Sequence, residues 1–162
     1  MKFILANSVF TDQRPLLLIR SSEFLNLKNT HTNIWTNGCF DVIHRGHIES
    51  LRFAKSLGDR LVVGVDSDER VKKSKGKARP FNKLEDRMEV LRAIEYVDEV
   101  VSFDNDEELR SCVKVVSPRF FVKGSDWKGK QLVGSEFAEE LIFFDLKKGY
   151  STTKILNKYG IK

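Results

Sequence analysis

The sequence predicts an open, doubly wound α/β fold built on a parallel sheet. Three observations carry that expectation. Short apolar runs alternate with helical patterns from Asn33 onward. One run, RLVVGVDS, is continuously apolar, as strands buried on both faces are. The residues suited to chemistry all follow strand-like runs: Asn37 to His47, Asp66 to Asp68, Lys123 to Trp127 and Gly149 to Thr153. Strands alternating with helices imply parallel pairing through right-handed crossovers. In such sheets ligands sit beyond the carboxyl ends of the strands, so these four stretches are expected to meet at one edge.

Each element has its own signal. NIWTNG is a strand ending in glycine, and GHIESLRFAKSLG a helix with Ile48, Leu51, Ala54 and Leu57 on one face and Gly58 as its stop. RLVVGVDS is the second strand, and VKKSKGKAR after it reads as an exposed loop. NKLEDRMEVLRAIEYV is a helix capped by Asn82, with Glu85 three residues on and a stripe through Leu84, Met88, Leu91 and Ile94 or Glu95. DEVVSF is a strand, and DEELRSCVKVV a helix stopped before Pro118. RFFVKG and ELIFFDL are further strands, and STTKILNKYG a last helix capped by Ser151. Residues 1–32 differ, with a short strand and a helix opened by Ser21 or Ser22, and are expected to form an extension on the domain spanning 33–162.

A chain of 162 residues fits a single domain. Its net charge of +5 admits nucleic acid, a membrane surface or small phosphorylated ligands as partners, without choosing among them. Cys39 and Cys112 belong to no zinc or CxxC pattern and read as reduced thiols of a cytosolic protein. No apolar run approaches the roughly 18 residues of a membrane span. The start, MKFILANSVFTDQRP, is broken by Asn7, Asp12 and Arg14 and is a poor signal peptide, so a cytoplasmic location is expected.

Two of the chain's three histidines lie in His44–Arg45–Gly46–His47. With Gly46 permitting a tight turn, His47 falls on the first helical turn and His44 just before it. Both imidazoles then flank an anion held by the unpaired amides and the dipole of that helix end. Near this positive end they are less readily protonated and donate hydrogen bonds as neutral rings. Incidental surface histidines are one alternative. A metal site is another, but needs a third ligand, and His31 is the only other histidine.

The flanking run NGCFDVIHRGHIESLRFAKSLGDRLVVGVDSD resembles the cytidylyltransferase-like nucleotidyltransferases, whose hallmark after the first strand is (T/N)-G-x-F-D-x-x-H-x-G-H. The resemblance extends from Asn33 to Leu156 through KGKARPFNKLEDRMEVL, VDEVVSF, VKGSDW and GYSTTKI, in order. Within that superfamily, RPFNKLEDRMEVLRAIEYVDEVVSF and FVKGSDW with VGSE are most similar to the adenylyltransferases that activate D-glycero-β-D-manno-heptose 1-phosphate. Glycerol-3-phosphate cytidylyltransferases come next. In many bacteria the former are fused to a sugar kinase; none fits here, so a stand-alone transferase is expected. Cytidylyltransferases usually carry Arg-Thr-x-Gly-Ile-Ser-Thr-Thr, where this chain has Leu146, Lys147, Lys148, Gly149, Tyr150, Ser151, Thr152 and Thr153. The arginine is missing, which favours ATP over CTP, although Lys147 or Lys148 can supply a nearby charge.

The resemblance implies transfer of AMP from ATP to a phosphorylated sugar such as heptose 1-phosphate, with pyrophosphate released and Mg²⁺ accompanying the triphosphate. It places His44 and His47 on the phosphates, and Lys75 as the essential lysine among Lys72, Lys73, Lys75, Lys77 and Arg79. A solvated loop, or a nucleic-acid contact without interleaved aromatics, are the other readings of that cluster. Arg87 reaches the phosphates, or else is a solvated charge on its helix. Asn37, Gly38, Phe40, Gly46, Ser151, Thr152 and Thr153 line the nucleotide. On the acceptor side, Lys123 meets the phosphate and Asp126 the hydroxyls. Trp127 either walls the pocket or is core, and Asp41 meets either a ligand hydroxyl or a structural turn. A homodimer without nucleic-acid or membrane partners, and without an all-protein metal cage, is expected. The rivals are a CTP-dependent polyol-phosphate enzyme and a non-catalytic nucleic-acid-binding module. A dinucleotide-binding domain is disfavoured because no G-x-G-x-x-G follows a strand.

Overall fold

The computed structural model describes residues 31–145 and 149–160. The expected extension up to residue 30, and Lys147 and Lys148, lie outside the described residues. Ten regular elements follow in chain order: β1 Asn33–Gly38, α1 Arg45–Lys55, β2 Arg60–Asp66, α2 Asp68–Lys75, α3 Leu84–Arg92, β3 Glu99–Phe103, α4 Asp106–Val116, β4 Phe120–Gly124, β5 Glu140–Phe144 and α5 Thr152–Lys158. Short 3-10 turns occupy Ser125–Trp127 and Ser135–Phe137.

The strands form one five-stranded parallel sheet in the order β3-β2-β1-β4-β5. The chain winds outward from β1 to β3, then returns to the other side of β1 to lay down β4 and β5. Strand order therefore reverses between β1 and β4, which is where ligands bind in open sheets of this kind.

Alternation along the strands divides the core. Ile34, Leu61, Val63, Val65 and Val122 pack with Leu51 and Ala54 of α1 and Leu91 of α3. Trp35, Val62 and Phe121 point the other way, onto Leu109, Val113 and Val116 of α4. Burying each such side chain contributes about 1.5–3 kcal/mol. Gly64 makes room for the largest of them: a Cβ there would lie 2.5 Å from the Trp35 ring.

Two local expectations need correction. The stretch read as a loop after β2 contains α2. Ser67 Oγ accepts from the Arg70 amide, acidic Asp68 and Glu69 occupy the first turn, and Lys72, Lys73 and Lys75 the last. That arrangement complements the helix dipole, but only Val71 is buried, so no apolar stripe announced the helix. Second, α3 begins at Leu84 with Lys83 at its N-cap and no side-chain cap bond, and it ends at Arg92 rather than running to Val97. Asn82 is drawn away instead: its Nδ2 donates to the Asp41 carbonyl at 2.6 Å.

Candidate active site

The chain leaves β1 at Gly38 and turns through Phe40, which adopts φ +45°. It enters α1 with His44 as the N-cap, in extended backbone. The cap is an imidazole: Nδ1 of His44 accepts from the His47 amide at 3.3 Å. One turn of helix then lays His47 against His44, with ring centroids 3.8 Å apart and planes 11° from parallel. Because Nδ1 of His44 is an acceptor, its neutral ring carries the proton on Nε2. Nδ1 of His47 is buried without a partner, a position that suits a lone pair better than an N–H and so puts that ring's proton on Nε2 as well.

Burial holds both rings neutral. It lowers His44 below the usual histidine range. For His47, burial first and then the neighbouring His44 push the value down to about 4. The pair is thus a set of N–H donors at the amide end of α1.

Gly46 does not make the tight turn expected of it; it lies inside α1. What the position requires is the absence of a side chain. A Cβ there would lie 3.1 Å from two atoms of the His44 ring and 3.2 Å from Tyr150 Cβ.

The Gly149–Thr153 stretch reaches the same place. Ser151 Oγ caps α5 by accepting from the Lys154 amide at 3.1 Å. Thr152 Oγ1 donates to the Val42 carbonyl at 3.2 Å, docking α5 on the loop ahead of α1. Tyr150 stands 6.3 Å from His44, ring to ring, while Thr153 is exposed.

On the other side of β1, Lys123 closes the switch point. It is 7% exposed, and its Nζ donates to the Asn37 carbonyl at 2.8 Å and to Asn37 Oδ1 at 3.3 Å. The ammonium also lies 4.6 Å from the Trp127 ring centroid. Burial pushes Lys123 down to about 8 against the opposing pull of Asp66, Cys39 and Asp126. Lys123 therefore grips β1 rather than presenting a free cation for an acceptor phosphate. Trp127, 38% exposed, is not core, and Asp126 is exposed beside it.

Two further expectations change. Arg87 is neither a solvated charge nor open to a ligand: it is 1% exposed, donating to Asn82 O at 3.1 Å, Cys39 O at 2.6 Å and Asp68 Oδ1 at 2.8 Å. Of the two readings of Asp41, the structural one matches its contacts. The carboxylate is 3% exposed and accepts from Arg79 Nε, the Phe81 amide and the Asn82 amide at 2.6–2.9 Å. Both carboxylate oxygens are thus engaged by donors from within the protein.

Lys75 ends α2 and is exposed. Its charge is close enough to bear on the Cys39 thiol, whereas Lys72 is engaged with Glu69 at 2.6 Å. Burial first, and then Asp66, push that thiol up to about 11, so Cys39 is no nucleophile.

Sequence reasoning brought Asp66 to this edge without giving it a partner, and missed Arg70. At the end of β2, Asp66 accepts from Arg70 Nε at 2.7 Å and from the Cys39 thiol at 3.5 Å, and Arg70 continues to Asp106 at 2.7 Å. The signal was present as an Asp/Arg pair four residues apart straddling a strand end. Among the described residues no group of three or more His, Cys, Asp or Glu is placed to hold a metal ion, and no helix is long and apolar enough to cross a membrane.

A family model described as cytidylyltransferase-like matches residues 35–158. The chain is 47% identical over 142 residues to the bifunctional protein HldE of Campylobacter fetus, covering 87% of this chain and 31% of that protein. It is 41% identical over 142 residues to the bifunctional protein HldE of Helicobacter hepaticus, covering 86% and 29% respectively. The chain thus spans about a third of the length of the curated relatives it matches. Among solved structures, the lipopolysaccharide core biosynthesis protein of Thermoplasma volcanium shares the fold, with a TM-score of 0.62 and 23% identity over 74% of this chain and 100% of that one. With its stacked imidazoles at the switch-point edge and a family match over most of its length, the chain belongs to the cytidylyltransferase-like family.

Proposed function

We propose that this chain transfers AMP from ATP to a sugar 1-phosphate of the heptose type, releasing pyrophosphate. The observation that carries the reading is the pair of neutral imidazoles stacked at the amide end of α1. An oxygen of the acceptor phosphate attacks the α-phosphorus. The bond from that phosphorus to the oxygen bridging the α- and β-phosphates breaks, and pyrophosphate leaves with the electron pair. No protein nucleophile is needed, so catalysis is positioning and charge stabilisation.

The Nε2–H groups of His44 and His47 donate to phosphate oxygens whose charge grows as that bond breaks, and Lys75 adds a cation from the end of α2. Loss of one such donor typically costs about 100- to 1,000-fold in rate. Asn37, Gly38 and Phe40 shape the floor at the end of β1, while Ser151, Thr152 and Thr153 border the phosphates from α5. On the acceptor side, Trp127 and Asp126 offer a wall and a carboxylate to sugar hydroxyls.

Mg²⁺ fits such a site as a companion of the triphosphate. No cage of carboxylates, imidazoles or thiols gathers among the described residues, and Asp66 and Asp68 are already engaged by Arg70 and Arg87. The ion ordinarily keeps much of its water and binds substrate phosphates. When bound, it supplies neutralisation of phosphate charge.

ATP is favoured by the missing arginine ahead of Gly149 and by the identity to the HldE proteins. A cytoplasmic homodimer completes the proposal. The second reading, CTP with glycerol 3-phosphate, is favoured by the family description alone. The test is a pyrophosphate-release assay crossing four nucleoside triphosphates with heptose 1-phosphate, other sugar 1-phosphates and glycerol 3-phosphate. It is run on wild type, His44→Ala and His47→Ala. Turnover with ATP and heptose 1-phosphate, lost in both variants, is expected. Turnover confined to CTP and glycerol 3-phosphate selects the second reading, and equal turnover by all three proteins refutes the role of the imidazoles.

A further inference from the structure

Helix α2 is weakly held by its own packing. It is eight residues long, polar nearly all round, and buries only Val71. Helices this short have little stability of their own, so its place depends on contacts at its ends. Arg70 ties it to the end of β2 and to α4 through Asp66 and Asp106. The tie toward the imidazole loop is made by another element: Arg87 of α3 grips Asp68, the first residue of α2, and the Cys39 carbonyl, at the turn out of β1. Its third bond, to Asn82 O, holds the guanidinium to the loop ahead of α3, and that loop is itself pinned by Asp41.

We infer that Arg87 is a positioning residue: by clasping Asp68 and the Cys39 carbonyl together, it sets α2, and with it Lys75, against the turn that carries His44 and His47. The guanidinium is wholly inside the protein, so its influence on a phosphate passes through α2. A planar fork with several fixed donors suits this three-way clasp, and a lysine, a single ammonium on a flexible stem, does not reproduce it. The inference rests on the nucleotidyl-transfer reading for what Lys75 contacts; the clasp itself rests on geometry alone.

The experiment uses the full chain with Arg87→Lys, Asp68→Asn, Lys75→Ala and the two double variants, each pairing Lys75→Ala with one clasp variant. Asp68→Asn alters the more exposed partner and serves if Arg87→Lys fails to fold. Amide hydrogen exchange is expected to speed up about tenfold within residues 68–75 in each clasp variant, with the sheet amides unchanged. In pyrophosphate release, each clasp variant should lower kcat about 10- to 100-fold with KM for ATP moved far less. Each double variant should be no more than about threefold worse than Lys75→Ala alone, because with the lysine gone the clasp has nothing left to position. Unchanged exchange in α2 overturns the inference. So does a multiplicative loss in the double variants, which would make Arg87 act independently of Lys75. Wild-type protein that releases no pyrophosphate with any pair refutes the functional reading instead, and the exchange measurement still decides the clasp.

Discussion

The His47 amide donates to Nδ1 of His44, so one imidazole both caps helix α1 and, through the stack at 3.8 Å, flanks its partner. The two duties separate by substitution. Asparagine is a strong N-cap but has no Nε2–H at the same reach, whereas alanine lacks both functions. His44→Asn should keep its thermal midpoint near wild type while losing about 100-fold or more in rate. His44→Ala should lose the same activity and about 1 kcal/mol of stability as well. Equal midpoints for the two variants would remove the cap from the account.

Gly46→Ala tests the close approach. Alanine favours a helix more than glycine by roughly 1 kcal/mol, so α1 itself should tolerate the change. The new methyl, 3.1 Å from the His44 ring and 3.2 Å from Tyr150 Cβ, has to push one of them aside. The expected result is a folded protein about 100-fold slower in pyrophosphate release. Wild-type rates would mean that the ring position is not critical.

Stability should depend on acid through His47. Its native value, about 4, lies below the ordinary 6.5, so in that window the unfolded chain binds a proton that the native one does not. The native state therefore keeps its full margin above pH 6.5 and loses it as pH falls toward 4. The total loss is on the order of 3 kcal/mol. Urea denaturation from pH 7.5 to 4.5 should show this slope, and His47→Gln, with no titrating group, should reduce it. A variant as pH-dependent as wild type contradicts the assignment.

Asp41→Asn separates architecture from substrate contact. The carboxylate receives Arg79 and two backbone amides in a buried setting, and an amide cannot accept from all of them. A loss of about 3 kcal/mol is expected, read as a lower midpoint in denaturant. Unchanged stability with a raised KM for the acceptor alone would return Asp41 to the acceptor pocket.

Lys123 carries the opposite sign. A charge buried this deeply is a burden on folding at neutral pH, since the native value of about 8 lies below the ordinary 10.5. The burden fades as pH rises from 8 through 10.5, where the unfolded chain also loses its proton. Lys123→Met should leave stability unchanged or raise it by about 1 kcal/mol at pH 7, net of the lost bonds to Asn37. It should also lower turnover, because the end of β1 is no longer held. A strongly destabilised variant would show that the bonds to Asn37 outweigh the desolvation.

Much of this protein was legible in one dimension. The run RLVVGVDS announced a strand buried on both faces, and it is β2, inside a five-stranded parallel sheet. His44, Gly46 and His47 announced themselves by type and spacing, and the helix that gathers them begins at Arg45. Helix α2 was not legible, because a helix held by charges and a single valine has no apolar period to read.

Side-chain fate was the other gap. Arg87, Asp41 and Lys123 are ordinary polar residues in sequence, and each proved to be buried and tied to backbone from a distant part of the chain. Local pattern determined the fold class, the strand order's parallel character and the imidazole pair, since periodicity and helix capping are interactions among near neighbours. The tertiary structure alone decided which charges face solvent and which hold the site together, because burial and hydrogen-bond partners are set by residues tens of positions away.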